Sequence, residues 1–147
     1  MKNYKPVQIL LVEDNPDDVL ITQRALTKSH VANDLHVVRD GQEAVDFLFR
    51  RPPFGPDTPR PDLVLLDVNL PRLNGMEVLE LIRHDDALAA TPVIMLTASN
   101  RDEDVVRSYK LGSNTYIQKP VEFQKFLEAL EVLGRYWIVI ATLPKAA

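Results

Sequence analysis

The sequence of 147 residues has no cysteine, only five glycines and a single tryptophan. The absence of cysteine excludes disulfides, thiolate metal sites and cysteine nucleophiles, and it suits a protein of the reducing cytoplasm. Long apolar runs are also missing: none approaches the roughly 20 residues that span a bilayer, and residues 1–6 lack the apolar core of a signal peptide. We therefore expect a cytoplasmic protein without a membrane partner.

A surplus of positive charge is missing as well, since 17 lysines and arginines face 21 aspartates and glutamates. The net charge of −4 and the pI of about 5.3 suggest no basic face, so no nucleic-acid partner is expected. Apolar residues make up 46% of the chain and charged residues 26%, as in ordinary globular proteins. The length suits a single domain over residues 1–147, with its core between about residues 7 and 133.

Short apolar runs alternate with amphipathic helical patterns, which is typical of βαβ units built on a parallel sheet. Five runs predict strands, at residues 7–12, 35–38, 63–66, 93–96 and 116–118. Capping residues such as Asn15, Asp40 and Asn74 mark helix starts. We expect the first helix to end near Ser29 and the fourth near Gly112. The predicted fold class is α/β, a doubly wound five-stranded parallel sheet with five helices.

Acidic residues follow two of the predicted strands, Glu13 and Asp14 after the first and Asp67 after the third. Because the C-terminal ends of parallel strands lie along one edge of a sheet, these side chains should meet in one crevice. Three clustered carboxylates repel each other unless a cation holds them, and all-oxygen ligands favour Mg²⁺ or Mn²⁺. We expect Asp14 and Asp67 to bind the metal directly, Glu13 to bind it through water, and the backbone carbonyl of Asn69 to complete the shell.

Two further strand ends place a hydroxyl and an ammonium at the same edge. An aspartate carboxylate such as Asp67 can act as a nucleophile toward phosphorus. Lys119 is expected to pair with Asp67 and then with an added phosphoryl oxygen, while the Thr97 hydroxyl and the Ala98 amide bind a second oxygen. The Lys119–Pro120 bond is a candidate cis peptide that would aim the lysine. Each residue alone has an ordinary structural explanation, so the prediction rests on the ordered set.

That ordered set resembles the receiver domain of two-component response regulators. The matching elements are Glu13-Asp14, Asp67, Thr97-Ala98 and Lys119-Pro120, and the resemblance covers residues 7 to about 133. It implies a flavodoxin-like receiver fold with strand order 2-1-3-4-5. The topological switch point then falls between the first and third strands, where the acids are.

The resemblance also implies a function. Asp67 would accept a phosphoryl group from the phosphohistidine of a sensor histidine kinase, with Mg²⁺, and the domain would catalyse only its own phosphorylation and dephosphorylation. Thr97 would move toward the phosphoryl group while Tyr116, the switch aromatic, turns inward. Asn69 and Ser99 occupy positions that tune the lifetime of the aspartyl phosphate. Onward transfer to a histidine phosphotransfer protein stays open as an alternative.

Two segments depart from the family pattern. Residues 51–61 carry five prolines and predict an exposed loop, for which a plain insertion is favoured over a partner contact. Residues 134–147 extend past the last helix, and no output domain follows, so a stand-alone receiver is expected. Both features resemble the small receivers that pair with phytochrome-type photoreceptor kinases.

The C-terminal extension contains an apolar cluster that is unlike the surface of a small soluble domain. Because the last predicted helix already has its own core stripe, we expect the cluster to form a homodimer contact, with folding back onto its own domain as the alternative. The cluster consists of Tyr136, Trp137, Ile138, Val139 and Ile140.

Three other functions compete with the receiver. A Mg²⁺-dependent aspartyl-phosphate hydrolase of small molecules would typically need a second aspartate two residues after Asp67, where Asn69 stands. A flavin or nucleotide module would need a phosphate-binding loop after the first strand, where Glu13 and Asp14 repel phosphate. A degenerate receiver used only for interaction would not need the complete set of acids, threonine and lysine.

Overall fold

The computed structural model describes residues 6–28, 32–108 and 115–133. Five parallel strands form one sheet in the order β2-β1-β3-β4-β5, which confirms the predicted fold. The strands are β1 (Val7–Val12), β2 (Asn33–Val38), β3 (Leu63–Asp67), β4 (Val93–Thr97) and β5 (Thr115–Gln118). The helices are α1 (Pro16–Lys28), α2 (Gly41–Leu48), α3 (Gly75–His84), α4 (Asn100–Ser108) and α5 (Phe123–Leu133). In the described part of the chain, no helix has the length and apolarity to cross a bilayer.

The central strands send apolar side chains to both faces of the sheet, because neighbouring residues of a strand point in opposite directions. On one face, Leu10, Leu66 and Met95 pack with α2 and α3. On the other face, Leu11 and Leu65 pack with α1 and α5. Helices thus cover both faces, and the C-terminal edge of the strands is the place left for polar groups.

Side-chain caps start the helices that follow β1, β2 and β3. Asn15 Oδ1 accepts a hydrogen bond from the backbone N–H of Asp17 at 2.8 Å, and Asp40 Oδ1 accepts one from Glu43 at 2.8 Å. Asn74 forms a complete capping box with the residue three positions on. These caps are the ones that the sequence predicted, and they turn the chain into a helix directly behind the strand ends.

Four strands are longer than the sequence predicted, and β4 is one of them because it ends at Thr97. β2 begins at Asn33, which pairs with Val7, and β3 ends at Asp67, which pairs with Leu96; β5 begins at Thr115. The extra residues gain backbone hydrogen bonds from a neighbouring strand, and such pairing is invisible in the local apolar pattern. The predicted helix ends near residues 29 and 112 lie outside the described residues, as does the extension at 134–147.

The proline-rich segment at residues 51–61 is an ordered loop, exposed over much of its length as predicted. The ring of Phe54 packs edge-on against Phe47, with 5.2 Å between centroids. Arg50 Nε donates to the carbonyl oxygen of Thr58 at 2.9 Å. Because the loop precedes β3, it lies at the edge of the sheet opposite to the polar strand ends.

Candidate functional site

The ends of β1 and β3 bring three carboxylates together. Glu13, Asp14 and Asp67 each offer an oxygen that lies within 4.8 Å of the others. Glu13 and Asp67 are buried, whereas Asp14 is exposed. Carboxylates so close together repel each other, and a divalent cation with a preference for hard oxygen ligands removes that repulsion. The donor set therefore fits Mg²⁺ or Mn²⁺.

Lys119 reaches into this acid cluster from the end of β5. Its Nζ lies 2.6 Å from Glu13 Oε1 and 2.9 Å from Asp67 Oδ2. A third carboxylate, that of Asp18 in the first turn of α1, lies 3.3 Å from the same nitrogen. The backbone N–H of Lys119 donates to the Thr97 carbonyl at 2.7 Å, which extends the β4–β5 pairing to the lysine itself. The Lys119–Pro120 peptide bond is cis.

Burial and charge set the protonation of this cluster. Burial raises the pKa of Glu13 to about 7; the hydrogen bond from Lys119 opposes this shift and the nearby charge of Asp67 adds to it. Burial lowers the pKa of Lys119, but hydrogen bonds to Glu13 and Asp67 outweigh that effect and raise it overall. Lys119 therefore stays charged at neutral pH, and a bound cation would favour the ionised form of Glu13.

The backbone around Asp67 is held by the chain that follows it. The Asn69 N–H donates to Asp67 Oδ1 at 3.2 Å, and the Gly75 N–H donates to the Val68 carbonyl at 2.9 Å. A Cβ on Gly75 would lie 2.1 Å from the Asp67 carbonyl oxygen. The start of α3 therefore packs directly on the backbone of Asp67, which only a glycine permits.

The end of β4 carries two groups that could donate hydrogen bonds to a phosphoryl group. Both already donate to acceptors within the protein. The buried Thr97 hydroxyl donates to the Ile117 carbonyl at 3.4 Å. The Ala98 N–H donates to Asp102 Oδ2 at 2.9 Å, and the same oxygen accepts from Asn69 Nδ2 at 3.0 Å. A phosphoryl group that used these donors would have to displace their present acceptors.

Tyr116 is half-buried on β5 and is held from α4. Its hydroxyl accepts a hydrogen bond from Arg107, whose guanidinium carbon lies 5.5 Å from the ring centroid. The hydrogen bond to Tyr116 raises the pKa of Arg107. The aromatic residue that the resemblance assigns to the switch is thus fixed to the helix beside it.

The structure brings the predicted site residues Glu13, Asp14, Asp67 and Lys119 to one edge of the sheet. The division between direct and water-mediated metal ligands stays a prediction. Thr97 and Tyr116 lie on β4 and β5, Asn69 follows β3, and Ser99 precedes α4. The predicted dimer contacts lie outside the described residues: Tyr136, Trp137, Ile138, Val139 and Ile140.

Three side chains that shape the site were not predicted from the sequence: Asp18, Asp102 and Arg107. The two aspartates stand in the first turn of a helix, where an acid is ordinary because it suits the positive end of the helix. One signal was available, since α1 and α4 start right behind strand ends of the predicted site. Arg107 gives no such signal, because only the packing of α4 on β5 brings it to Tyr116.

Comparisons with known proteins agree with this geometry. Residues 9–131 match the response regulator receiver domain family. The response regulator Rcp1 of Synechocystis sp. is 37% identical over 141 residues, which cover 96% of this chain and 95% of Rcp1. The Mn²⁺-bound form of Rcp1 has a TM-score of 0.74 at 36% identity, over 97% of this chain and all of that one.

Two more solved structures are similar. The bacteriophytochrome response regulator RtBRR is 45% identical with a TM-score of 0.84, over 90% of this chain and 81% of its own. The phosphorylated cyanobacterial phytochrome response regulator RcpA is 38% identical with a TM-score of 0.75, over 96% of this chain and all of its own. With the matching fold and an acid cluster that could hold a divalent cation, this chain belongs to the response regulator receiver family.

Proposed function

We propose that this receiver accepts a phosphoryl group on Asp67 from a sensor histidine kinase, with Mg²⁺ as cofactor and Mn²⁺ able to replace it. The observation that carries the proposal is the 2.9 Å approach of Lys119 Nζ to Asp67 Oδ2, beside two further acids that suit a cation. A nucleophilic carboxylate, a cation site and a fixed ammonium are the groups that transfer of a phosphoryl group to aspartate requires.

In the transfer, an Asp67 carboxylate oxygen forms the new bond to phosphorus while the bond from phosphorus to the imidazole nitrogen of the donor breaks. The phosphorylated imidazole carries a proton on its other ring nitrogen, so it keeps the electron pair of the broken bond and leaves as the neutral ring. Lys119 stays charged because its pKa is raised, and it pairs with an oxygen of the added group. When bound, the cation offsets the negative charge of the acids and the phosphoryl oxygens. Glu13, Asp14, Asp67 and the Asn69 carbonyl are the groups that would hold it.

Thr97 and Ala98 then bind a second phosphoryl oxygen. Thr97 leaves the Ile117 carbonyl, and Tyr116 turns inward into the space behind it. The surface formed by α4, β5 and α5 thereby changes its preferred partner, as a two-state element that a local charge biases.

The only chemistry proposed for the domain is its own phosphorylation and the hydrolysis of its aspartyl phosphate. Asn69 and Ser99 are proposed to tune that hydrolysis. Both are tied to one residue, since Asn69 Nδ2 donates to Asp102 Oδ2 and the Asp102 N–H donates to Ser99 Oγ at 3.3 Å. Substitution of either is expected to change the lifetime of the phosphoryl group more than its formation.

The kinase partner that we propose is of the phytochrome type, because two similar structures are phytochrome or bacteriophytochrome response regulators by name. We also propose a cytoplasmic location and a homodimer that uses the apolar cluster of the C-terminal extension. Onward transfer to a histidine phosphotransfer protein is not needed to account for the site.

The test is intact-protein mass spectrometry after incubation with acetyl phosphate, with and without Mg²⁺. The wild type should gain one phosphoryl group only when Mg²⁺ is present, and Asp67→Asn should gain none. Asp86→Asn is the matched control, since it removes an exposed carboxylate from the segment after α3 and should leave the gain unchanged.

The other outcomes separate the competing functions. Release of free phosphate without a detectable adduct would identify a hydrolase or very fast turnover, which a rapid-quench time course distinguishes. Neither adduct nor release would leave an interaction module and overturn the proposal.

A further inference from the structure

Asp102 has a carboxylate oxygen that connects two loops of the site. Its Oδ2 accepts hydrogen bonds from the Ala98 N–H at 2.9 Å and from Asn69 Nδ2 at 3.0 Å. Asp102 itself is only 9% exposed, although it stands in the first turn of a helix. One anionic acceptor thus ties the loop after β3 to the loop after β4.

The same Ala98 N–H is the donor that the proposed function assigns to a phosphoryl oxygen. A backbone N–H carries one hydrogen and makes one good hydrogen bond, so it serves either Asp102 or the phosphoryl group. We propose that Asp102 competes with the phosphoryl group inside the protein. Asp102 holds Ala98 and Asn69 in the unphosphorylated protein and has to release them upon phosphorylation. This inference rests on the proposed function, because it assumes that Asp67 is the acceptor.

Charge repulsion favours the same release of Ala98 and Asn69 from Asp102 as competition for the Ala98 N–H does. The phosphoryl group brings more negative charge to the edge where Asp102 lies, and like charges in a partly buried site repel. Asp102 belongs to α4, so its release detaches the first turn of that helix from Asn69 and Ala98. Phosphorylation of Asp67 would thereby make the first turn of α4 more mobile, and this turn lies beside the surface that would meet a partner.

A plain helix cap is the competing explanation. Ser99 and Asp102 have the spacing of a capping box, and the Asp102 N–H donates to Ser99 Oγ at 3.3 Å. A cap, however, has no use for Asn69, which lies 33 residues away in another loop. The two roles also predict opposite results: loss of a cap disorders α4 and weakens the phosphorylated state, whereas loss of a competitor strengthens it.

The test uses beryllofluoride, a mimic of the phosphoryl group, in titrations of the full chain at fixed Mg²⁺, followed through the amide NMR signal of Ala98. Asp102→Ala, which removes the acceptor, should reach half-saturation at about a tenfold lower concentration than the wild type, as expected when one charged hydrogen bond no longer has to be broken. Asp102→Asn keeps a weaker, neutral acceptor and should fall between them. Asp86→Asn, which removes an exposed carboxylate from the segment after α3, should match the wild type within about twofold.

In the absence of beryllofluoride, the Ala98 amide should exchange with solvent faster in both Asp102 variants than in the control. Equal or weaker binding by the Asp102 variants, with normal binding by the wild type, would overturn the competitor role and leave a cap. Failure of the wild type to bind beryllofluoride at all would overturn the proposed function, and this inference with it.

Discussion

At the scale of single residues, Lys119 is the group on which the site depends. Its Nζ lies within 3.3 Å of carboxylate oxygens from Glu13, Asp18 and Asp67, so one ammonium offsets charge from three separate segments. A divalent cation and Lys119 therefore share the same acids. Binding of the metal is expected to redistribute the contacts of Lys119 rather than to fill an independent site.

The free energy of unfolding of the metal-free protein should depend on pH through the titration of Glu13. Its pKa is about 7 in the folded protein and 4.5 as the ordinary value, so the folded state binds the extra proton between these pH values. The free energy of unfolding should therefore fall as pH rises through this window. Carboxyl ¹³C NMR in EDTA should show one glutamate that titrates near neutral pH, and Glu13→Gln should remove it.

Saturating Mg²⁺ is the matched condition for that experiment. The cation favours the ionised carboxylate, so it should move the titration of Glu13 to lower pH, and protons should in turn weaken Mg²⁺ binding below neutral pH. A Glu13 signal with an ordinary carboxyl titration in EDTA would contradict the effect that we assign to its burial.

The convergence of Glu13, Asp14, Asp67 and Lys119 was predictable from sequence, because strand ends of a parallel sheet share an edge whatever their side chains are. The contacts of Asp18 and Asp102 were not. Acids in a first helical turn satisfy a local rule already, so their position behind the strand ends did not show that they also make a tertiary contact.

At the scale of elements, the contact of α3 with β3 should be sensitive to one methyl group. Gly75→Ala places a Cβ 2.1 Å from the Asp67 carbonyl oxygen, so the backbone of Asp67 has to move. We expect a loss of about 1–3 kcal/mol in the free energy of unfolding, measured by urea denaturation, and slower phosphorylation by acetyl phosphate. Gly55→Ala is the control, since a Cβ there meets nothing within 4 Å. Equal stability of the two variants would contradict the close packing.

The contact of α4 with β5 should restrain the switch. Arg107→Ala removes both the hydrogen bond and the cation–π contact that hold Tyr116. The outward position of the Tyr116 ring then loses stabilising contacts, so the proposed inward turn costs less free energy. Beryllofluoride should therefore bind about threefold more tightly. Arg101→Ala removes an exposed arginine of the same helix and should have no effect. Tighter binding by both variants would point to net charge instead of Tyr116.

Element order and type were predictable because apolar runs and caps are local signals, as at Asn15, Asp40 and Asn74. The exact ends of the strands were less predictable from the sequence. Asp67 belongs to β3 because Leu96 of β4 pairs with it, and a polar residue gives no local sign of such pairing.

At the scale of the whole molecule, the prediction concerns the apolar cluster of the C-terminal extension, which we propose as a homodimer contact. Deletion of residues 137–147 should give a folded monomer by light scattering, and the full chain a dimer. A truncated protein that unfolds would support folding of the extension onto its own domain. A truncated dimer would show that the contact lies elsewhere, and Asp67→Asn, which keeps the extension, is the matched control for folding.

The long reach of Lys119 also matters for how the protein is made. The residues joined by the Lys119–Asp18 contact are 101 positions apart, so the lysine is synthesised long after the acids that it meets. A chain that is still being translated can fold its first strands and helices, yet it lacks the ammonium and the end of β4 until late. A nascent chain that ends before Lys119 therefore lacks the ammonium of the proposed phosphoryl site, and we expect it to become competent for phosphorylation only after residue 119 has been added.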